Sequence, residues 1–304
     1  MTLADFRVET LDLVPDAAGR LVASLLHSPQ STDQRPAVLY LHGFIDYFFQ
    51  VHLAEAMHRG GYDFYALDLR RCGHAYLPHQ RFNYCAAITE YFEEIDLAVE
   101  RIQTKNAAGL YLMAHSTGGL TACRYLQAGR LRGAVQALVL NSPFLAIPRG
   151  SFLTKTLYGI SKLAAKLSPD SHVQAPTLYA QTVSTTHYGE WTFNTAWKPV
   201  EGFPLYFQWV LAVIDAQEKL EQSDVEVPTL LLHASHSLRP TSYEPEVRYA
   251  DIVLDVEDMK RIGPTLGPRV EMVEIKNGMH DLILSPSPIR ERALATMVDW
   301  LQQQ

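Results

Sequence analysis

Cysteine is scarce: three occur in 304 residues, at Cys72, Cys85 and Cys123. An odd, widely spaced set excludes a disulfide-stapled scaffold and fits reduced thiols, so a cytoplasmic setting is expected. No apolar run approaches the roughly 20 residues that span a bilayer, so no membrane-spanning segment is expected. The start, Met1-Thr-Leu-Ala-Asp-Phe-Arg7, lacks a charged-then-apolar leader, and no secretory signal is expected. No basic block occurs, and 26 Lys and Arg face 33 Asp and Glu, for a net charge of −7. That balance argues against nucleic acid as a partner and gives no overall electrostatic pull toward anionic membranes. The pairs His74/His79 and His233/His236 lack the carboxylate or cysteine companions of a zinc site, so neither metal nor cofactor is expected. No internal repeat or low-complexity segment is visible.

What is present is apolar sequence in quantity, 47% of the chain, enough for a sizeable core. Phe6–Leu13 alternates as a strand does, Pro15–Gly19 reads as a turn, and Leu21–His27 resumes strand character. Short apolar runs then alternate with helical patterns. Ala37–Leu41, Tyr62–Leu67, Gly109–Ala114 and Ala137–Asn141 read as strands. Ile88, Phe92, Ile95, Val99 and Ile102 recur at helical spacing and predict a helix over Cys85–Lys105. This alternation implies a mainly parallel sheet covered by helices on both faces. The pattern breaks between Phe144 and Gln222, where helices are predicted over Ser151–Leu167 and Leu205–Leu220. Between them lie Tyr179, Tyr188, Trp191, Phe193 and Trp197. Strand character returns at Val227-Pro-Thr-Leu-Leu-Leu232 and at Val270–Ile275. The chain therefore divides into 1–143, an insertion over 144–225, and 226–304.

Three motifs carry chemistry. Leu110-Tyr-Leu-Met-Ala-His-Ser116-Thr-Gly-Gly-Leu120 places a serine between a strand and a helix, with Ala114 two residues before it and Gly118 two after. Small residues at those positions suit the sharp turn of a nucleophile elbow. His115 adjoins the serine, but neighbouring side chains on a tight turn point apart, so it is expected to pack beneath the elbow. His42-Gly43-Phe44 follows one predicted strand, and Gly278-Met-His280-Asp follows the last. With Asp68-Leu-Arg-Arg-Cys-Gly-His74, these pieces make the chain resemble an α/β-hydrolase of the monoglyceride lipase and lysophospholipase type, grouped with serine aminopeptidases. The resemblance covers roughly Ala37 to Trp300.

It implies an eight-stranded, mostly parallel sheet with helices on both faces and a helical cap inserted after the sixth strand. It implies Ser116 as nucleophile, His280 as base, and the backbone N–H groups of Phe44 and Thr117 as an oxyanion hole. The family's acid follows the seventh strand, where this chain has an unusually long loop, Ser235–Ala250. Asp251 is the expected acid and Asp255 a helix N-cap. The roles reversed are the alternative, and Glu244 and Glu246 also stand nearby. His42, Tyr47, Trp191 and Trp197 are candidates for the substrate pocket.

These residue types suit acyl transfer. A serine hydroxyl needs an imidazole to take its proton, the carboxylate orients that imidazole, and N–H donors hold the oxyanion. The implied substrate is a small-molecule carboxylic ester of monoacylglycerol or lysophospholipid type. Aminopeptidase or amidase action would need a pocket acid for a free amine, for which Glu190 and Glu201 are the candidates. Acyl transfer uses the same residues, and a binding module without catalysis is the remaining reading.

Overall fold

Continuous apolar runs, whose successive side chains point to opposite faces, build the sheet at the centre of the molecule. The computed structural model describes residues 1–105, 108–147, 152–168, 170–220 and 224–304. Its strands are β1 (Arg7–Asp16), β2 (Gly19–His27), β3 (Ala37–Leu41), β4 (Asp63–Asp68), β5 (Leu110–His115), β6 (Val135–Asn141), β7 (His172–Gln174), β8 (Pro204–Tyr206), β9 (Thr229–Ala234) and β10 (Val270–Ile275). Its helices are α1 (Val51–Arg59), α2 (Phe92–Gln103), α3 (Thr117–Ala128), α4 (Phe152–Leu167), α5 (Leu178–Val183), α6 (Phe207–Leu220), α7 (Val256–Ile262) and α8 (Ser287–Leu301).

Eight strands form one sheet in the order β1-β2-β4-β3-β5-β6-β9-β10. The pairings β1–β2 and β2–β4 are antiparallel, and from β4 to β10 every pairing is parallel. Leu39, Leu41, Leu112, Ala114, Leu138 and Leu140 face one way, onto α2, α3 and α6. Val38, Tyr40, Tyr111, Met113, Ala137 and Val139 face the other, onto α1 and α8. Strands buried on both faces read as continuous apolar runs for this reason. Among the described residues, no helix is long and apolar enough to cross a membrane.

Local outcomes differ from expectation in three places. The helix predicted over Cys85–Lys105 is a 3-10 turn at Ile88–Tyr91 followed by α2. Glu90 accepts the N–H groups of Ala86 and Ala87, which ends the helix there. Leu205 lies in β8, and α6 begins only at Phe207. The insertion also contains the hairpin β7–β8, whose three-residue strands are too short to show a period. Of the stretches predicted from sequence, Ser151 and Gln222 lie outside the described residues.

The parallel strands all end at one edge. His42 follows β3, Ser116 follows β5, Asp251 lies in the connection after β9, and His280 follows β10. Loops at the carboxyl ends of parallel strands, near the point where strand order reverses, are where such sheets build sites.

Candidate active site

Between β5 and α3 the chain turns through a single residue. Ser116 has φ +53° and ψ −119°, a left-handed conformation that costs a non-glycine residue energy. Close approach makes Gly118 necessary. A Cβ there would lie 2.4 Å from the carbonyl oxygen of His42 and 2.7 Å from that of Leu41. Ser116 N–H donates to the carbonyl of Asn141 at 3.0 Å, which ties the turn to the end of β6.

Ser116 Oγ lies 3.0 Å from His280 Nε2, and His280 Nδ1 lies 2.9 Å from Asp251 Oδ2. A carboxylate only accepts, so the proton belongs on Nδ1 and Nε2 accepts from the serine hydroxyl. Asp251 Oδ1 also accepts the N–H groups of Val253 at 2.8 Å and Leu254 at 2.7 Å. Burial opposes ionisation of Asp251, but His280 and those amides outweigh it and hold the carboxyl below its ordinary value. Asp255 caps α7 instead, accepting from the N–H of Glu257 at 3.1 Å. Glu244 and Glu246 are exposed.

Thr117 is the first residue of α3, so its N–H has no partner within the helix. Among the described residues, neither that N–H nor the one of Phe44 is bonded to a protein acceptor, and both residues border the cavity beside Ser116. Ile45, next to Phe44, holds φ +51°, a strained conformation for a β-branched residue. Its N–H donates to Asn83 Oδ1 at 3.1 Å, which holds this loop in place.

The cavity has a volume of about 440 Å³. Its apolar walls come from Phe44, Phe144, Phe203, Leu205, Trp209 and Leu254. Its polar surface includes Asp46, His115, Lys198 and Arg239.

The four pocket candidates from sequence do not line this cavity. His42 is buried beneath it, where Nδ1–H donates to the carbonyl of Gly43 at 2.7 Å and Nε2 accepts from Leu69 N–H at 3.1 Å. Tyr47 and Trp197 pack edge to face at 5.2 Å, and Tyr47 Oη accepts from the N–H of Asn194 at 2.7 Å. Trp191 stacks on His52 and donates to the carbonyl of Leu284 at 2.8 Å. These aromatics weld the insertion to the loops after β3 and β10, because rings that also carry a polar atom bury well at such a seam. Of the aromatics noted in the insertion, Tyr179 does reach the cavity. Its ring meets His280 edge on at 5.4 Å, and its hydroxyl accepts the N–H of Asp281 at 3.0 Å.

Sequence reasoning passed over Lys198. Its side chain is only 5% exposed, and its ammonium pairs with Asp46 Oδ1 at 2.9 Å and lies 5.6–5.9 Å from the rings of Phe49, Tyr179 and Phe193. No pattern marks one lysine in a polar, aromatic stretch. His115 is buried, its Nδ1–H donates to the carbonyl of Asn141 at 3.1 Å, and burial lowers its basicity. Asp46, His115 and Asp281 bring three ligand atoms within 4.8 Å of one another. Lys198 already meets the charge of Asp46, and Asn141 Nδ2 donates to Asp281 at 2.7 Å. The histidine pairs considered for metal bind elsewhere: His74 to Asp68, His79 to the carbonyl of Arg20, and His233 to the carbonyl of Ala234.

The family model described as serine aminopeptidase, S33 matches residues 32–238. The chain belongs to this family. Solved structures share its fold over almost the whole length. A soluble variant of monoglyceride lipase from Saccharomyces cerevisiae, in complex with a substrate analogue, superposes with a TM-score of 0.67 at 17% identity, covering 98% of this chain and 96% of that one. The monoacylglycerol lipase of Paleococcus ferrophilus gives 0.65 at 17% identity, covering 97% and 98%. Est1E of Butyrivibrio proteoclasticus with bound ferulic acid gives 0.61 at 13%, covering 94% and 95%. No curated protein sequence matches the chain. The S33 membership and these superpositions agree on an α/β-hydrolase fold.

Proposed function

We propose that the protein is a serine hydrolase that cleaves carboxylic esters carrying an apolar acyl group, with Ser116, His280 and Asp251 as a catalytic triad. The observation that carries this reading is the continuous hydrogen-bond chain Asp251–His280–Ser116 opening onto an apolar cavity. In this mechanism Ser116 Oγ attacks the ester carbonyl carbon as His280 Nε2 takes its proton. Asp251 holds the imidazole in the correct tautomer and stabilises the imidazolium. The N–H groups of Phe44 and Thr117 receive the oxyanion, each worth about 3–4 kcal/mol at the transition state. His280 then protonates the departing alcohol, leaving an acyl-Ser116 ester. Water, activated by His280, attacks that ester and releases the acid.

Residues 144–225 act in this reading as a cap that walls the cavity through Phe203, Leu205 and Trp209. Monoacylglycerol- or lysophospholipid-like esters are the proposed substrate class. The apolar walls and the lipase-type folds it resembles support that choice. Three buried cysteines without disulfides fit a cytoplasmic setting.

Aminopeptidase action is disfavoured by electrostatics. Glu190 pairs with Arg248 and Arg290 away from the cavity, and Glu201 is 86% exposed beside His187. Among the described residues, Asp46 is the carboxylate on the cavity wall, and it already pairs with Lys198, so none of them offers a free anion to a substrate amine.

The test is hydrolysis of p-nitrophenyl esters from acetate to palmitate by wild type and Ser116→Ala. Turnover by wild type alone, with an optimum at a medium or long acyl chain, is expected. Equal rates for the two proteins, or no turnover by folded wild type on any ester, would overturn the reading.

A further inference from the structure

One charge on the cavity wall has no counter-ion among the described residues. Of those that border the cavity, Asp46, Lys198 and Arg239 are charged, and Asp46 and Lys198 pair with each other at 2.9 Å. Arg239 is left over, a cation beside the serine in a chain whose net charge is −7.

Its place is fixed by its neighbours. Leu238 N–H donates to the carbonyl of Asp251 at 3.0 Å, and Asp251 N–H donates to that of His236 at 3.1 Å. Ser237 Oγ accepts Val256 N–H at 2.9 Å. Pro240 follows, and a residue before proline favours extended backbone. The long loop after β9 thus presents Arg239 alongside the residue that orients His280.

The guanidinium is anchored through one nitrogen. Nη1 donates to the carbonyls of Leu238 and Leu254, at 3.1 Å each. Among the described residues, Nε and Nη2 have no acceptor and no carboxylate pairs with Arg239. Nε–H and the adjacent Nη2–H point the same way, forming the fork that matches two oxygens of a carboxylate or phosphate. Arg70 uses that fork within this chain, where Nε and Nη2 reach Glu94 Oε2 at 3.0 and 2.5 Å.

Proton transfer tells which half of an ester meets the fork. His280 Nε2 protonates the departing alcohol, so the alcohol lies on the His280 side of Ser116. Ile252, Val253 and Leu254 border the cavity directly after Asp251, and the Leu254 carbonyl holds Arg239. The aromatic walls gather around Phe44, which stacks on Trp209 at 3.7 Å and meets Phe203 edge on at 6.0 Å. That cluster suits the acyl group.

We infer that Arg239 is a specificity-determining residue that receives an anionic group, carboxylate or phosphate, on the alcohol half of the ester. This rests on the reading of the protein as an ester hydrolase and narrows it to esters of acidic alcohols.

The experiment compares kcat/KM within two matched pairs of short, soluble esters. One pair is the hexanoyl ester of hydroxypropanoate and that of hydroxypropanamide; the other is hexanoylglycerol phosphate and hexanoylglycerol. Wild type is expected to favour the anionic member of at least one pair about fivefold to tenfold, as a charge-assisted hydrogen bond does when an exposed partner is screened. The gain should lie in KM, since Arg239 touches no reacting atom, and about 0.5 M salt should at least halve it. Arg239→Gln is expected to bring the ratio close to one. Arg239→Lys is expected to keep part of it, because an ammonium supplies charge without the fork. Arg292→Gln removes an exposed arginine of α8 that does not border the cavity, and is expected to keep the wild-type ratio.

A preference in the hydroxypropanoate pair alone assigns a carboxylated alcohol, and one in the glycerol pair alone a phosphorylated alcohol. Equal treatment of both pairs by wild type overturns the inference, as does an undiminished ratio in Arg239→Gln. A ratio lost equally in Arg292→Gln overturns it in favour of overall charge. Titration calorimetry of the same esters with Ser116→Ala separates failure here from failure of the hydrolase reading. Tighter binding of an anionic ester, lost in Ser116→Ala/Arg239→Gln, with no turnover by wild type, upholds the subsite and defeats the hydrolase. Turnover without preference does the reverse.

Discussion

Gly118→Ala tests whether the serine turn depends on a backbone contact that no side chain can relieve. The added Cβ would lie 2.4 Å and 2.7 Å from the carbonyl oxygens of His42 and Leu41. Ordinary contact lies near 3.4 Å, so α3 and the end of β3 would have to separate by roughly 0.7–1.0 Å. Both oxygens belong to backbone held on either side. Leu41 is paired in the sheet with Leu67 and Ala114, and the His42 ring is fixed by Leu69 and Gly43. Overpacking of this kind costs about 1–3 kcal/mol or more, and better helix propensity returns at most about 1 kcal/mol. A net loss near 2 kcal/mol lowers the melting midpoint by roughly 3 °C in a chain of this size. The same separation moves Phe44 N–H away from Thr117 N–H, so kcat for p-nitrophenyl butyrate should fall about 10²-fold or more. Gly133→Ala is the control, since its Cβ meets nothing within 4 Å and its φ is not left-handed. That change should be neutral or stabilising by under about 1 kcal/mol. If Gly118→Ala melts within about 1 °C of wild type and keeps its kcat, the close-contact argument fails.

The acid assignment separates by kinetics. Asp251→Asn should lower kcat about 10⁴-fold, while Asp255→Ala should cost only about 1 kcal/mol of stability through the lost cap of α7. The opposite ranking of rates would transfer the role to Asp255. Lys198→Met leaves Asp46 buried without its partner, which should cost about 3–5 kcal/mol in urea unfolding. Adding Asp46→Asn should recover part of that loss, and strict additivity of the two changes would refute a coupled pair. Burial lowers His27 to about 4 against an ordinary 6.5. The unfolded chain then binds the extra proton between those values, so stability is full above pH 6.5 and falls as pH drops toward 4. The loss should be about 1–3 kcal/mol, and His27→Gln should flatten it. Identical slopes for the two proteins would remove His27 as the cause.

The sequence by itself determined the parts governed by local pattern. Continuous apolar runs in β3, β5, β6 and β9, too short for helices, read as strands buried on both faces, and their alternation with helical spacing implied crossovers and a parallel sheet. The strand–Ser116–helix junction was legible because its turn demands small neighbours within two residues. His280 was legible because it sits in a short loop directly after the last strand. The tertiary structure decided what depends on residues distant in sequence. Asp251 and Asp255 are alike locally. What separates them is which carboxylate approaches His280 once the long loop folds back, with Asp251 N–H bonded to the carbonyl of His236 and its own carbonyl accepting from Leu238 N–H. The role of each aromatic in the insertion and in the loop after β3 was equally hidden. Tyr47, Trp191 and Trp197 seal a seam, while Phe44, Phe203 and Trp209 wall the cavity. Apolar character, which is all a sequence displays, is the same in both places. Only the packing of 144–225 on the sheet's edge gives each ring its neighbour, and only there does Lys198 find Asp46.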